Sequence, residues 1–316
     1  MPRVSVILTV FERECFLRRA IKGALDQTFT DFEIIVTDDS NKSAIRRICE
    51  SFQCGDRLRY RSNARRIGAP LNLRKAICEA RGKFVSILND DDFWGPTFLE
   101  KLVAPLEENS NRVIAFSDHW IVRENGEVDD ITTETNTLLY ARQKLPRGEI
   151  QDPAGLILHN NGLPLAMASL FRKDCLDLSL LTDNIVGAYD FWISCILAVS
   201  GKSFFYVPER LTYYRVHGSS ETARRAWNKS QPVIFIFQEL LRHNWFPQMK
   251  ELIKVKLSQA YFCGGKDSLL FGKKPEARNL FFRSLETKCH YKPVVGLVLT
   301  LLPPVLTHKI WPVARQ

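Results

Sequence analysis

The sequence predicts an α/β fold, a mostly parallel sheet flanked by helices, followed by a C-terminal helical region. Three observations predict it. Short β-rich apolar runs alternate with stretches of helical apolar period over the first hundred residues. Two acidic clusters, Asp38-Asp39 and Asp90 to Asp92, close two of those runs. Strand signals stop near residue 222, and helical ones dominate from there to the end. A β-α-β-α-β-α-β order means parallel strands with helices on both faces. In such sheets ligands sit beyond the carboxyl ends of the strands, where both acidic clusters fall.

The elements follow in order. Residues 4–10, "VSVILTV", read as the first strand. Phe16, Leu17, Ala20, Ile21, Ala24 and Leu25 carry a helical period over 14–27. "FEIIVTDDS" is a second strand ending in acids, and Ile45, Ile48 and Phe52 mark a helix over 41–53. "LRYRSN" is a short strand, residues 70–81 a helix stopped at Gly82, and "KFVSILNDDD" a fourth strand. A helix over 96–108 has Pro96 in its first turn. "RVIAFSDHWIV" and "AMASLFRK" read as strands, and "AYDFWISCILAVS" as a helix ended by Gly201. "SFFYVPERLTYYRVH" is a strand pair or one extended segment. Residues 123–152 are polar, with Gly126, Pro146 and Gly148 and little period, and are expected to form a long loop. The domain boundary is placed at 222–223, giving domains 1–222 and 223–316.

The chain has 316 residues, 45% hydrophobic and 25% charged, which is globular composition. A formal net charge of +9 suits an anionic partner such as a nucleotide, a phospholipid surface or nucleic acid. None of the eight cysteines forms a CxxC pair, and Cys78 and Cys195 fall in apolar helical patterns. Reduced, buried cysteines of a cytosolic protein are expected, not a disulfide framework or a zinc site. "PVVGLVLTLLPPVL" comes closest to a membrane span but is short and broken by Pro303 and Pro304, so no span is expected.

Adjacent carboxylates at a strand end suit a hard divalent cation, Mg²⁺ or Mn²⁺, which takes one or two carboxylates plus substrate phosphates. The bland alternative is an acidic turn or a helix cap. The second cluster and "VFE" at 10–12 place three strand ends along one crevice. There Phe11 could stack on a nucleobase and Asp39 could accept from a ring N–H. The chain has neither GxGxxG nor GxxxxGK[ST], so dehydrogenase and P-loop readings lack their phosphate cradles.

"VSVILTVFERECFLRRAIKGALDQTFTDFEIIVTDDS" resembles the opening of the family-2 glycosyltransferases, and "GKFVSILNDDDFWGP" resembles the segment carrying that family's metal-binding DxD. The resemblance runs over roughly residues 3–220 and implies a GT-A fold, a Rossmann-like sheet flanked by helices. It implies that Thr9, Phe11 and Asp39 hold the uracil or thymine base of a nucleotide-sugar. Asp91 would grip Mn²⁺ or Mg²⁺, with Asp92 flanking it and Asp90 on the ribose. Asn89 stands where an Asp is usual, and Glu12 where Asn is usual. "RRIGAPLNLRKAICEARGKF" resembles a family segment in which Arg66 and Asn72 would face the donor, and "YYRVHGSS" one in which His217 would reach the diphosphate or metal and Arg215 would help hold the segment or phosphates. "GAYDFWISCILA" resembles the family's helix start whose Asp, here Asp190, is the general base; a lone Asp there is also a natural N-cap. His119 and Trp120 are weaker candidates for an acceptor pocket, and acceptor choice is expected to lie in 123–187.

The resemblance implies an inverting, metal-dependent glycosyltransferase taking a UDP- or dTDP-sugar to an acceptor hydroxyl, in surface polysaccharide or glycolipid synthesis. Its partners would be a nucleotide-sugar donor and a saccharide or lipid-linked acceptor, with no nucleic acid. It would be cytoplasmic, with peripheral contact at the inner face of the membrane as an open alternative to a C-terminal subdomain packed on the catalytic one. Two rivals remain. One is a nucleotidyltransferase of similar fold, which typically carries a Gly-rich N-terminal loop absent here. The other is a non-catalytic assembly protein of a polysaccharide pathway.

Overall fold

The computed structural model describes residues 1–218, 220 and 228–302. The chain divides into two compact units, Met1–Gly218 and Ser219–Gln316. The division expected at 222–223 lies outside the described residues.

In the first unit β1 (Val4–Val10), β2 (Phe32–Asp38), β3 (Leu58–Ser62) and β4 (Phe84–Asn89) lie parallel in the order β3-β2-β1-β4. The connections are α1 (Glu14–Leu25), α2 (Ser43–Glu50) and α3 (Ala69–Glu79). β1, β2 and β4 are apolar along most of their length because both faces are covered. Val4, Val6, Leu8 and Val10 pack with Leu17, Ile21 and Ile45 of α1 and α2. Ile7 and Ile35 alternate to the other face, and α3 packs over β1 and β2. The register sets Thr9 beside both Thr37 and Asn89, so three carboxyl ends fall in line.

The sheet continues through β5 (Phe93–Trp94), α4 (Phe98–Glu108), β6 (Arg112–Val122), α5 (Asp130–Leu139) and β7 (Gly148–Ile150). Then come α6 (Pro153–Asn160), the broken turn α7 (Leu165–Ala168), β8 (Ser169–Arg172), α8 (Tyr189–Val199) and β9 (Ser203–Arg215). The nine-stranded order is β3-β2-β1-β4-β8-β6-β9-β5, with β7 also on β9. β5, β7 and β8 run against the rest. Gln27 ties the end of α1 to the start of α4: its amide donates to Gly23 O (2.9 Å) and Gly95 O (2.7 Å) and accepts from Leu99 N (2.9 Å).

Two expectations change. Residues 123–152 are not one loop, since they hold α5 and β7. α5 has no apolar period because its inner face is made of threonines. Asp129 caps it by accepting from Thr132 N (3.0 Å), Thr133 Oγ1 accepts from Ile121 N (2.9 Å), and Thr137 Oγ1 donates to Asp118 (3.1 Å). Its Ile131, Leu138 and Leu139 point outward. "SFFYVPERLTYYRVH" is one long strand, not a pair. Ser117 of β6 faces Val207 and Asp118 faces Arg210, so Pro208, which has no N–H to give the ladder, sits in a bulge.

The second unit holds α9 (Gln231–His243), α10 (Lys250–Leu270), α11 (Lys274–Thr287) and α12 (Tyr291–Leu299). Phe281 of α11 is fully buried, and small residues make room for it. A Cβ at Gly265 of α10 would lie 2.7 Å from its ring, and one at Gly296 of α12 2.6 Å. Ser258 and Ser284 link α10 to α11, each hydroxyl donating to the other's carbonyl (2.8 and 2.7 Å). All eight cysteines are free; Cys195 is buried, whereas Cys78, expected inside, is exposed. Among the described residues no helix is long and apolar enough to cross a membrane.

Candidate active site

β1, β2, β4 and β9 all end on the same edge of the sheet, and the polar residues gather there. After β1 the chain turns through Phe11 and Glu12, and Glu12 takes a left-handed φ of 64°. Asn tolerates that region better than Glu does, which accounts for the Asn usual in the resembled family. The turn aims Phe11 N and the Arg13 side chain at the acids after β4. Asp90 accepts from Phe11 N (3.0 Å) and from Arg13 Nη1 (3.0 Å). The same Nη1 donates to Asp91 Oδ2 (2.6 Å), and His217 Nε2 lies 3.0 Å from that oxygen. Asp92 accepts from Arg215 N (2.9 Å) and Asn89 Nδ2 (3.3 Å).

The three acids are buried. Burial, with the Asp91 charge adding to it, pushes the Asp90 carboxyl up to about 7, against the pull of Arg13 and Phe11 N–H. Burial and Asp91 likewise hold Asp92 well above the ordinary carboxylate range. Arg215 clasps the turn from below: Nε donates to Asp91 O (2.9 Å) and Nη1 to Glu124 O (2.6 Å).

Asp39 follows β2 and fastens the segment before α3. Its oxygens accept from Ile67 N (2.9 Å), Gly68 N (2.8 Å) and Asn63 Nδ2 (3.1 Å). Gly68 has φ 85°, which a residue with a side chain rarely takes, and that conformation belongs to the turn whose two successive N–H groups meet one carboxylate. Arg66, on the same segment, lays its guanidinium 4.1 Å from the Phe11 ring centroid. Thr9 Oγ1 donates to Asn89 Oδ1 (3.3 Å), which also accepts from Tyr189 OH (3.0 Å). That last bond draws the N-terminus of α8 to the acidic turn. Asp190 is the next residue; it is half-buried and accepts from Phe191 N (2.8 Å). Burial pushes its carboxyl above the ordinary value, against the Phe191 N–H.

The structure therefore gathers Phe11, Asp90, Asp91 and His217 into one hydrogen-bonded group, sets Arg66 on Phe11, and joins Thr9 and Asn89 to Tyr189 at the head of α8. Two expected ligands stand elsewhere. Asn72 is buried with its amide engaged: Oδ1 accepts from Thr37 Oγ1 (2.6 Å) and Asn63 Nδ2 (2.8 Å), and Nδ2 donates to Thr37 O (3.0 Å). It pins α3 to β2 and does not face the crevice. Asp92 is turned inward, both oxygens spent on Arg215 and Asn89. His119 is buried beside the Asp118–Arg142 pair (2.8 Å) as internal packing, while Trp120 is half-buried under Arg210 (4.7 Å).

Sequence reasoning missed Arg13 and Tyr189. Arg13 had a signal: three carboxylates that become buried need a counter-charge, and Arg13 is the cation that follows the adjacent strand end. Tyr189 had none, because its partner is 100 residues away.

The donor set fits a divalent cation. Asp91 Oδ2 and His217 Nε2, 3.0 Å apart, have the spacing of neighbouring ligands about 2.1 Å from one ion. The Arg13 guanidinium marks the same place as one that favours positive charge. Among the described residues no three His, Cys, Asp or Glu side chains form a closed cage, so the remaining positions would fall to phosphate oxygens and water.

Comparison with known proteins gives the family and the fold. The pattern of glycosyl transferase family 2 matches residues 5–163. A GalNAc(5)-diNAcBac-PP-undecaprenol beta-1,3-glucosyltransferase of Campylobacter jejuni is 24% identical over 319 residues, 98% of this chain and 97% of that protein. The structure of S. aureus TarS 1-349 in complex with UDP-GlcNAc is similar at a TM-score of 0.69 and 15% identity, covering 98% of this chain and 91% of that one. The mannosyltransferase PcManGT of Pyrobaculum calidifontis, in complex with GDP-Man and Mn²⁺, is similar at a TM-score of 0.59 and 17% identity, over 98% and 83% of the two chains. The fold is GT-A, and the chain belongs to glycosyl transferase family 2.

Proposed function

We propose that this glycosyltransferase moves a sugar, with inversion, from a UDP- or dTDP-sugar to an acceptor hydroxyl. One observation carries the reading: the α8 head bearing Asp190 is bonded through Tyr189 and Asn89 to the strand end that holds the acidic turn. On this reading a base and a diphosphate site share one edge of the sheet. Phe11 and Arg66 offer a flat cationic stack for the base, with Thr9 and Asp39 beside it. Asp90 is the group assigned to the ribose. Asp91 and His217 would hold Mn²⁺ or Mg²⁺, which when bound neutralises the leaving diphosphate. Asp190 takes the acceptor proton as that oxygen attacks the anomeric carbon, and the carbon–oxygen bond to the diphosphate breaks on the opposite face. Its raised carboxyl is the stronger base for it.

The acceptor is a saccharide or a lipid-linked saccharide in polysaccharide or glycolipid synthesis. The full-length match to the C. jejuni enzyme, whose name states an undecaprenol-linked acceptor, supports the lipid-linked form. The protein works in the cytoplasm, in peripheral contact with the inner face of the membrane. Residues 1–222 form the catalytic domain, and 223–316 a helical subdomain.

Thermal shifts with UDP, dTDP, GDP and CDP, each with and without Mn²⁺, test the donor site. Stabilisation by one uracil or thymine nucleotide that needs Mn²⁺ and vanishes in Asp91→Ala is expected. No shift with any nucleotide would count against it. Asp190→Asn should abolish transfer while leaving the nucleotide shift in place; retained transfer would sink the base assignment.

A further inference from the structure

α12 buries Pro293, Gly296 and Leu299 and turns its other side outward. Tyr291, Val294, Val295 and Val298 are 73, 49, 42 and 54% exposed, and Leu301 just beyond is 73% exposed. The first four follow the i, i+3, i+4, i+7 spacing of a single helix face. Five large apolar side chains in one row are unlike the scattered exposed Leu or Val of an ordinary surface. Beside the row is a groove of about 330 Å³ lined by Phe262 and Lys266 of α10 and Tyr291, Lys292 and Val295 of α12. Its lining is largely apolar, and Lys266 and Lys292 are the two charged residues in it.

The surrounding charge is predominantly positive. Residues 228–302 carry twelve Lys and Arg against five Asp and Glu, and no Asp or Glu occurs after Glu286. An apolar row on a helix without carboxylates, with lysines beside it outnumbering the one nearby acid, Asp267, matches a surface that is apolar within and anionic outside.

We infer that the exposed face of α12, with the α10–α12 groove, is a docking surface for an anionic phospholipid bilayer. The helix lies in the headgroup plane. Val294, Val298 and Leu301 enter the acyl boundary, and Lys266 and Lys292 meet lipid phosphates. The inference rests on the peripheral-contact part of the reading above and gives that contact its residues.

Flotation of the purified full chain with vesicles tests it, one set of phosphatidylcholine alone and one with phosphatidylglycerol added. The variants are Val294→Asp with Val298→Asp, and Lys266→Glu with Lys292→Glu. All four positions are on the surface of the second unit, so the Mn²⁺-dependent nucleotide shift should stay intact in both. Binding to the anionic vesicles, weaker by about tenfold or more in each variant, is the expected result. Equal binding to both vesicle types, or binding unmoved by the variants, would overturn the inference. So would an absence of binding together with dimers that Val298→Asp dissociates, since the face would then seat a second copy. A chain that binds only when shortened after Leu302 would show that its own last residues cover the face. None of these outcomes touches the donor site, and a lost nucleotide shift with vesicle binding intact would overturn only the transferase reading.

Discussion

Arg13 is the residue on which the acidic turn depends. One guanidinium nitrogen serves two carboxylates, and its side chain is 22% exposed. Arg13→Ala would leave the pair without its counter-charge, at an expected cost of about 3 kcal/mol in urea unfolding, the low end for a buried pair because the guanidinium is partly exposed. Excess Mn²⁺ should recover part of that loss, since the ion can take the vacated position; equal losses with and without Mn²⁺ would show that the seat holds only the guanidinium. Asp190 gives a second residue-scale expectation. The base works only when ionised, and burial has raised its pKa above the ordinary 3.8. The acidic limb of the kcat profile should therefore fall above that value. A limb at or below it would mean that another group accepts the proton.

Elements were legible where their inner faces are apolar and illegible where polar groups hold them. β1, β2, β4 and α1 announce themselves by period because burial on a greasy core leaves that trace. α5 leaves none. It is moored through Thr133, Thr137 and the Arg142–Asp118 pair, and such contacts are visible only once β6 lies beside it. Asp118→Ala removes the acceptor of Thr137 and of a buried guanidinium, and a loss of about 3–5 kcal/mol by chemical unfolding is expected. A loss below about 1 kcal/mol would mean that the pair is idle. The site divides in the same way. Phe11, Asp39 and Asp90 to Asp92 could be read from strand ends. The inward turn of Asp92 and the engaged amide of Asn72 could not, because both follow from partners distant in sequence: Arg215 and Thr37.

At the scale of the molecule, the acidic turn links stability to pH. The unfolded Asp90 carboxyl titrates near 3.8 and the folded one near 7, so the folded state holds the extra proton between them. Stability from this group is full below 3.8 and is lost as pH rises toward 7. A cation that binds the ionised cluster must displace that proton below 7 and need not above it. The Mn²⁺-induced rise in Tm should be larger at pH 8 than at pH 6. An equal or smaller rise at pH 8 would separate the metal from Asp90. His119 acts in the opposite sense. Burial first, then the Arg142 charge, lowers it to about 4 from 6.5, so its contribution is lost as pH falls through that window.

The packing of Phe281 has a consequence for how α12 is presented. A phenyl ring seated against two glycine backbones fits only when both gaps face it, and Gly296 recurs on that side of its short helix nowhere else. A turn of α12 about its own axis by even one residue, about 100°, would drive a side chain into the ring. The helix is thereby indexed like a key in its slot. Its outward valines form a fixed contour, and whatever meets that contour meets a rigid die and not a rolling cylinder.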